Sequence, residues 1–272
     1  MLEFSSSPRE MLASVWRHRR LIFTLARREV LGRYRGSVLG LAWSFFNPIL
    51  MLAVYTFVFS VVFRARWSGG GESRTEFAII LFAGLMVFNL FAECVTRAPG
   101  LVIANANYVK KVVFPLEVLP VVAVVSALFH GGVSLLVWLV FYGAMFGLPP
   151  PTALLLPVVL APLLAFTLGV SWLLASLGVY LRDVGQVVGI ATAALMFLSP
   201  IFFPVTALPA DVQPILALNP LSLVIEHVRG VMIFGTLPVP WLYAVQVVVS
   251  LAVAWLGFAW FQKTRRGFAD VL

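Results

Sequence analysis

The hydrophobic positions of this chain occur in long uninterrupted runs rather than in short periodic patches. Residues 118–181, 184–210 and 230–262 contain no Asp, Glu, Lys or Arg. A bilayer crossing needs about 20 consecutive apolar residues, more than a buried helix of a soluble domain requires. Spanning β-barrels show short alternating segments instead. The pattern therefore predicts an all-α polytopic membrane protein.

Polar and proline-rich breaks divide these runs into six predicted transmembrane helices. The turn GLPPP at 147–151 is one strong helix breaker. The segment 204–239 has several prolines and no stretch long enough to cross, so short re-entrant or interfacial helices are expected there. The predicted spans cover about 37–63, 77–103, 118–146, 152–180, 184–203 and 240–262.

The residues before the first span predict a separate cytoplasmic segment. Eight arginines lie between positions 9 and 35, and Ile22, Ala26 and Val30 share one helical face. This pattern indicates an amphipathic helix lying in the membrane interface, with a solvated basic helix as the alternative. The predicted domains are an N-terminal segment, 1–36, a transmembrane domain, 37–262, and a cytoplasmic tail, 263–272.

Basic residues are distributed unequally between the two predicted faces. The chain is 61% hydrophobic and only 11% charged, yet its formal net charge is +8. Fourteen basic residues lie on the side of the termini and four on the other side. The positive-inside rule then places both termini in the cytoplasm. Anionic membrane lipids, and not nucleic acid, are the expected partners of these charges.

The residues that usually carry catalysis or bind metal are scattered. His18, His130 and His227 have no metal-like spacing with the single cysteine, Cys94. No G-x-x-x-x-G-K-[ST] phosphate loop is present. We therefore expect a protein that is not an enzyme and has neither a metal site nor a cofactor of its own.

A few polar residues interrupt the apolar spans. Glu93 and Arg97 are four residues apart and are expected to pair on one helical face. His130 lies in the middle of a span, where it is either a functional site or a hydrogen bond between helices. Glu226 and Arg229 are expected on the polar side of a short interfacial helix, with an acid–base cluster as the alternative.

Five motifs in order along the chain resemble the permeases of ABC-2 type exporters, in the branch that exports O-antigen, capsule or teichoic acid. The first combines a basic helix with a proline-containing span through Tyr34, Arg35, Leu39, Gly40, Trp43 and Pro48. The others are NANYVKKVVFPLEVLP at 105–120, YLRDVGQVV at 180–188, LSPIFFPVTALP at 198–209 and LNPLSLVIEHVRGVMIFG at 218–235.

This resemblance implies a homodimer joined to two separate ATP-binding subunits, which would bind ATP and Mg. The implied substrate is a lipid-linked polysaccharide such as O-antigen, and the implied location is the inner membrane of a bacterium. Two alternatives stay open: an ABC-2 exporter of small hydrophobic molecules or drugs, and a polytopic glycolipid-modifying membrane enzyme.

The loop 105–117 resembles a coupling helix seated in a cleft of the ATPase. Its rings and aliphatic groups suit contact with a protein, and its lysines suit an acidic surface. The alternative is a solvated loop whose lysines only fix topology. The expected coupling residues are Asn107, Tyr108, Lys110, Lys111, Val112, Phe114 and Pro115, with Arg182 and Asp183 from the loop between spans 4 and 5.

A glycan path needs rings and hydrogen-bonding groups, since sugars stack on aromatic faces. Aromatic residues also form interfacial belts, which is the alternative role for each ring. Arg33 and Arg35 are the expected contacts of the basic N-terminal helix with the pyrophosphate of a lipid-linked substrate, and general attraction to anionic lipid is the alternative. The candidate path residues are Arg33, Tyr34, Arg35, Trp43, Phe46, Tyr55, Phe59, Phe88 and Phe91, and the candidate outer gate is Pro200, Phe202, Phe203 and Pro204.

Overall fold

A computed structural model describes residues 5–58, 74–110, 114–211, 213, 216 and 218–272. Within these ranges the chain forms helices and turns and has no β-strand. The helices are α1 (Pro8–Arg17), α2 (Arg19–Arg33), α3 (Trp43–Tyr55), α4 (Arg74–Leu101), α5 (Ala106–Val109), α6 (Val118–Phe146), α7 (Leu156–Tyr180), α8 (Val184–Leu198), α9 (Pro220–Arg229), α10 (Pro240–Thr264) and α11 (Phe268–Val271).

Five helical segments are long and apolar enough to cross a membrane, which confirms the all-helical membrane class. They run from Gly40 to Val58, Thr75 to Leu101, Val118 to Phe146, Pro151 to Tyr180 and Pro240 to Val271. The 28 residues of α4 extend about 42 Å, against a hydrocarbon core of about 30 Å. The end of the first predicted span, 59–63, lies outside the described residues.

The span predicted at 184–203 is shorter as a helix than the sequence suggested. Helix α8 ends at Leu198 and has 15 residues, or about 22 Å. Ser199 takes an extended conformation and Pro200 follows it, so the helix cannot continue. The described structure therefore contains five helices of spanning length and one shorter apolar helix.

Helix α4 lies at the centre of the bundle. It packs on α6, α7, α8 and α9, and most of its side chains are buried. The most extensive helix pair is α7 with α10, whose backbones meet at Gly169. A Cβ atom there would lie 2.3 Å from the Val253 carbonyl oxygen, so only glycine permits this approach.

The predicted N-terminal helix is broken into two by His18. The Ser7 hydroxyl accepts a hydrogen bond from the Glu10 amide at the start of α1. Helix α2 buries Ile22, Ala26 and Val30, the face expected from the periodicity. That face packs mainly against α6, so the end of α2 lies beside the transmembrane helices.

Candidate functional site

A cavity of about 680 Å³ lies between α3, α4 and α6, beside the end of α2. Its polar side chains include three that share one face of α4, namely Asn89, Glu93 and Thr96. Aromatic rings and apolar side chains of α3 and α4 also line it. The lining residues are Arg33, Tyr34, Trp43, Ser44, Asn47, Pro48, Met51, Tyr55, Phe82, Leu85, Met86, Asn89, Ala92, Glu93, Thr96, His130 and Ser134.

Four charged residues, which we call the ion cluster, join α2 to α4 beside this cavity. Each helix contributes an acid and a base four residues apart: Glu29 with Arg33, and Glu93 with Arg97. Arg33 Nη2 lies 2.5 Å from Glu93 Oε1, and Arg97 Nη2 lies 2.6 Å from Glu29 Oε1. Arg97 Nη1 is 3.6 Å from Glu93 Oε1, which confirms the expected pair on α4.

His130 completes the polar end of the cavity from α6. Its Nδ1 lies 3.1 Å from Glu93 Oε1, to which it can donate a hydrogen bond between the helices, and 3.2 Å from Arg33 Nη1. Its Nε2 is buried and has no hydrogen-bond partner among the described residues. The Tyr34 ring meets the His130 ring edge-on, with centroids 6.1 Å apart. Burial raises the pKa of Tyr34 against the opposing effect of Arg33, so the phenol stays neutral at neutral pH.

The structure separates the candidate path residues into three groups. Arg33, Tyr34, Trp43 and Tyr55 line the cavity. Arg35 and Phe46 are exposed outside its lining. Phe88 and Phe91 do not line it, because both are buried in the core, where Phe91 stacks on Phe166. Phe59 lies outside the described residues.

Several cavity residues were not among the sequence candidates. Asn47, Asn89, Thr96 and Ser134 line the cavity with hydrogen-bonding groups. Asn89 and Thr96 could have been found from the sequence, because together with Glu93 they repeat at helical spacing within an apolar span.

The loop 105–117, here called the coupling segment, contains α5 and lies at the end of α4. Asn107 and Lys110 are exposed, and the rings of Tyr108 and Phe114 stack at 4.2 Å. Pro115 is half-buried. Lys111 and Val112 lie outside the described residues. The segment therefore presents polar groups outward above a small aromatic stack.

Glu117 anchors the end of the coupling segment to two distant parts of the chain. Its carboxylate accepts hydrogen bonds from the Ser14 hydroxyl at 2.8 Å and from Arg265 Nη1 at 2.6 Å. Arg265 also donates to the Phe114 carbonyl at 2.8 Å, and the Trp172 indole donates to the Glu117 carbonyl at 2.9 Å. This buried arrangement, here called the Glu117 anchor, links the coupling segment to α1, α7 and the tail.

The second part of the predicted coupling surface is the turn between α7 and α8. Arg182 and Asp183 are both exposed there. Both side chains are therefore accessible to another subunit.

The candidate outer gate is built around a buried arginine. Pro200 is buried, and Phe202, Phe203 and Pro204 are half-buried. The guanidinium of Arg229, which has no solvent exposure, donates to the carbonyls of Pro200, Ile201 and Ile80 and pairs with Glu226. The prediction that Arg229 lies on the polar side of an interfacial helix was therefore wrong. Its guanidinium is buried because it donates hydrogen bonds to the backbone carbonyls that follow the end of α8.

Among the described residues, no group of three or more His, Cys, Asp or Glu side chains is arranged to hold a metal ion. Cys94 is a buried free thiol.

Comparisons with known proteins point to one family. A family model described as ABC-2 type transporter matches residues 20–233. The chain is 29% identical to the O-antigen export system permease protein RfbA of Myxococcus xanthus over 262 residues, which are 96% of this chain and 98% of that protein. It is 27% identical to a Klebsiella pneumoniae protein of the same name over 254 residues, 93% and 95% of the two chains. The polysialic acid transport protein KpsM of Escherichia coli is 24% identical over 211 residues, 76% and 79%.

Proposed function

The chain belongs to the ABC-2 type transporter family, and from this premise we propose that it is the permease subunit of an ATP-driven exporter of a lipid-linked polysaccharide such as O-antigen. The relatives that it matches over most of its length are polysaccharide export permeases. Export takes place across the inner membrane of a bacterium, in accord with the apolar helices and the basic residues beside the termini.

The cavity between α3, α4 and α6 is the observation that carries the proposed substrate class. It combines four aromatic rings, those of Tyr34, Trp43, Tyr55 and Phe82, with the amides of Asn47 and Asn89. Sugars need this mixture, because their hydroxyls exchange hydrogen bonds while their apolar faces stack on rings. A small hydrophobic substrate would not use the amides and charges, so the lining favours a glycan.

The coupling segment is the proposed contact with an ATP-binding subunit. Exposed Asn107 and Lys110 would face that partner, and the Glu117 anchor would transmit its movement into α6 and α1. In this arrangement ATP and Mg bind to the partner subunits, two of which serve a dimer of this permease. Arg182 and Asp183 are accessible to the same partner.

The proposed topology has six crossings and both termini in the cytoplasm. Helix α8 and the extended residues after it form the fifth crossing, α9 stays on the outer side, and α10 forms the sixth crossing, which returns the chain to the cytoplasm. The basic residues Arg182, Arg265 and Arg266 then share a side with α1 and α2, which lie in the interface. A second copy of the chain would cover part of the exposed apolar surface of α8, including Ile190 and Phe197.

Complementation of a deletion strain tests this function at the cavity. Deletion of the gene should remove surface polysaccharide, and the intact chain should restore it. Asn89→Trp, which fills the cavity, should restore less than about a tenth of it, because the path is blocked. Val248→Trp adds the same ring to an exposed position of α10 and should restore it fully. Surface polysaccharide that is normal in the deletion strain contradicts the proposal.

A further inference from the structure

One carboxylate, that of Glu93, receives three nitrogen groups from three directions. Its Oε1 lies 2.5 Å from Arg33 Nη2, 3.1 Å from His130 Nδ1 and 3.6 Å from Arg97 Nη1. Only the first two distances are hydrogen bonds. The side chain thus occupies an anion site at the wall of the cavity, and the anion belongs to the protein itself.

The site has unused hydrogen-bonding capacity. Arg97 Nη1 and His130 Nε2 are buried and have no hydrogen-bond partner among the described residues. Buried polar atoms are nearly always paired, so such atoms mark a place where a ligand or a second arrangement supplies the bond. Arg97 Nη1 already faces Glu93 across 3.6 Å and could receive its carboxylate by a small side-chain rotation.

We propose that Arg33 binds the phosphate or pyrophosphate group of a lipid-borne substrate, and that Glu93 occupies Arg33 until this group arrives and then transfers to Arg97. The inference rests on the export function proposed above and names the part of the substrate that the site recognises. Arg97 would then hold two carboxylates, Glu29 and Glu93, one on each terminal nitrogen.

The donors of Arg33 favour an anionic ligand once Glu93 has moved away from them. In the observed arrangement the ion cluster has two guanidiniums and two carboxylates, so no positive charge is left to attract a ligand. Transfer of Glu93 to Arg97 leaves Arg33 with a free, planar fork of donors at the cavity wall. A phosphate accepts two parallel hydrogen bonds from such a fork, which an uncharged sugar hydroxyl cannot do.

Binding to the full-length permease in phosphatidylcholine nanodiscs tests the site, with farnesyl pyrophosphate as the probe. Farnesyl pyrophosphate should bind at least about tenfold more tightly than farnesol, since a charged hydrogen-bonded pair is lost with the pyrophosphate. Inorganic pyrophosphate should also bind at least about tenfold more weakly, because it lacks the chain that the membrane holds. Equal affinities for farnesol and farnesyl pyrophosphate would show that the site does not recognise the anionic group. Equal affinities for inorganic pyrophosphate and farnesyl pyrophosphate would show that the lipid chain does not contribute to binding.

Substitutions separate ligand binding from a structural role of the ion cluster. Arg33→Gln should weaken binding of farnesyl pyrophosphate by at least about tenfold, whereas Arg27→Gln, an exposed arginine of the same helix, should leave it unchanged. Glu93→Gln should tighten binding by about three- to tenfold, because it removes the internal competitor. Arg97→Gln should weaken binding, because Glu93 loses its second partner.

A purely structural ion cluster gives the opposite result for Glu93→Gln, with weaker binding, and that outcome overturns the proposal. If Glu93→Gln does not yield monodisperse protein, the Arg33 and Arg97 variants still decide. Failure here is distinct from failure of the export function. Unchanged binding in Arg33→Gln refutes this site, even where the same variant loses surface polysaccharide.

Discussion

Arg229 shows how one buried charge can organise a break between helices. Its three backbone acceptors, Ile80, Pro200 and Ile201, belong to α4 and to the segment after α8. Burial lowers the pKa of Arg229 to about 10, so the guanidinium is still charged at neutral pH. Gly84 leaves it room, since a Cβ there would lie 2.8 Å from Arg229 Nη2. Arg229 therefore connects the candidate outer gate to α4 at the centre of the bundle.

Arg229→Leu should destabilise the protein by about 3 kcal/mol or more, because several buried carbonyls lose their donor at once. Thermal unfolding of the purified protein in detergent measures the change. Arg20→Leu, at an exposed arginine of α2, should change stability by no more than about 0.5 kcal/mol. Equal melting temperatures for Arg229→Leu and Arg20→Leu would show that Arg229 has no such role.

At the scale of elements, the Glu117 anchor connects parts of the chain that the sequence separates widely. Ser14 of α1, Glu117 before α6 and Arg265 after α10 meet in one buried group. The carboxylate and guanidinium are 9% and 11% exposed, so neither is well compensated by water. The contacts of Glu117 therefore attach the end of the coupling segment to α1 and to the tail.

Glu117→Gln should cost about 3 kcal/mol, because it removes the carboxylate that pairs with the buried guanidinium of Arg265. The double variant Glu117→Gln with Arg265→Met should recover part of this loss, since both buried charges are then removed together. Thermal unfolding of the single and double variants forms the double-mutant cycle. Additive losses in the double variant would mean that the two residues do not interact.

For the whole molecule, the sequence predicts the membrane helices better than the contacts between them. The apolar runs alone place α6 at 118–146, where the structure has Val118–Phe146. The i,i+4 spacing predicts the Glu93–Arg97 pair, because both residues share one helix. Local patterns of this kind need no knowledge of tertiary structure.

Contacts between distant residues could not be predicted in the same way. Glu117 and Arg265 are 148 positions apart, and no periodicity relates them. Phe88 and Phe91 were candidates for the glycan path because they are aromatic residues of a span. They are buried instead, because α4 packs at the centre of the bundle. The direction in which a helix faces depends on its neighbours, which a single sequence does not specify.

The location of the polymer in a strain that lacks this chain tests the central claim most directly. Cells should be fractionated and the polysaccharide measured on the surface and inside, with and without induced expression of the permease. The account predicts lipid-linked polymer retained inside when the chain is absent and its return to the surface on induction. Polymer that reaches the surface without the chain, or that is not made at all without it, would contradict a role in export.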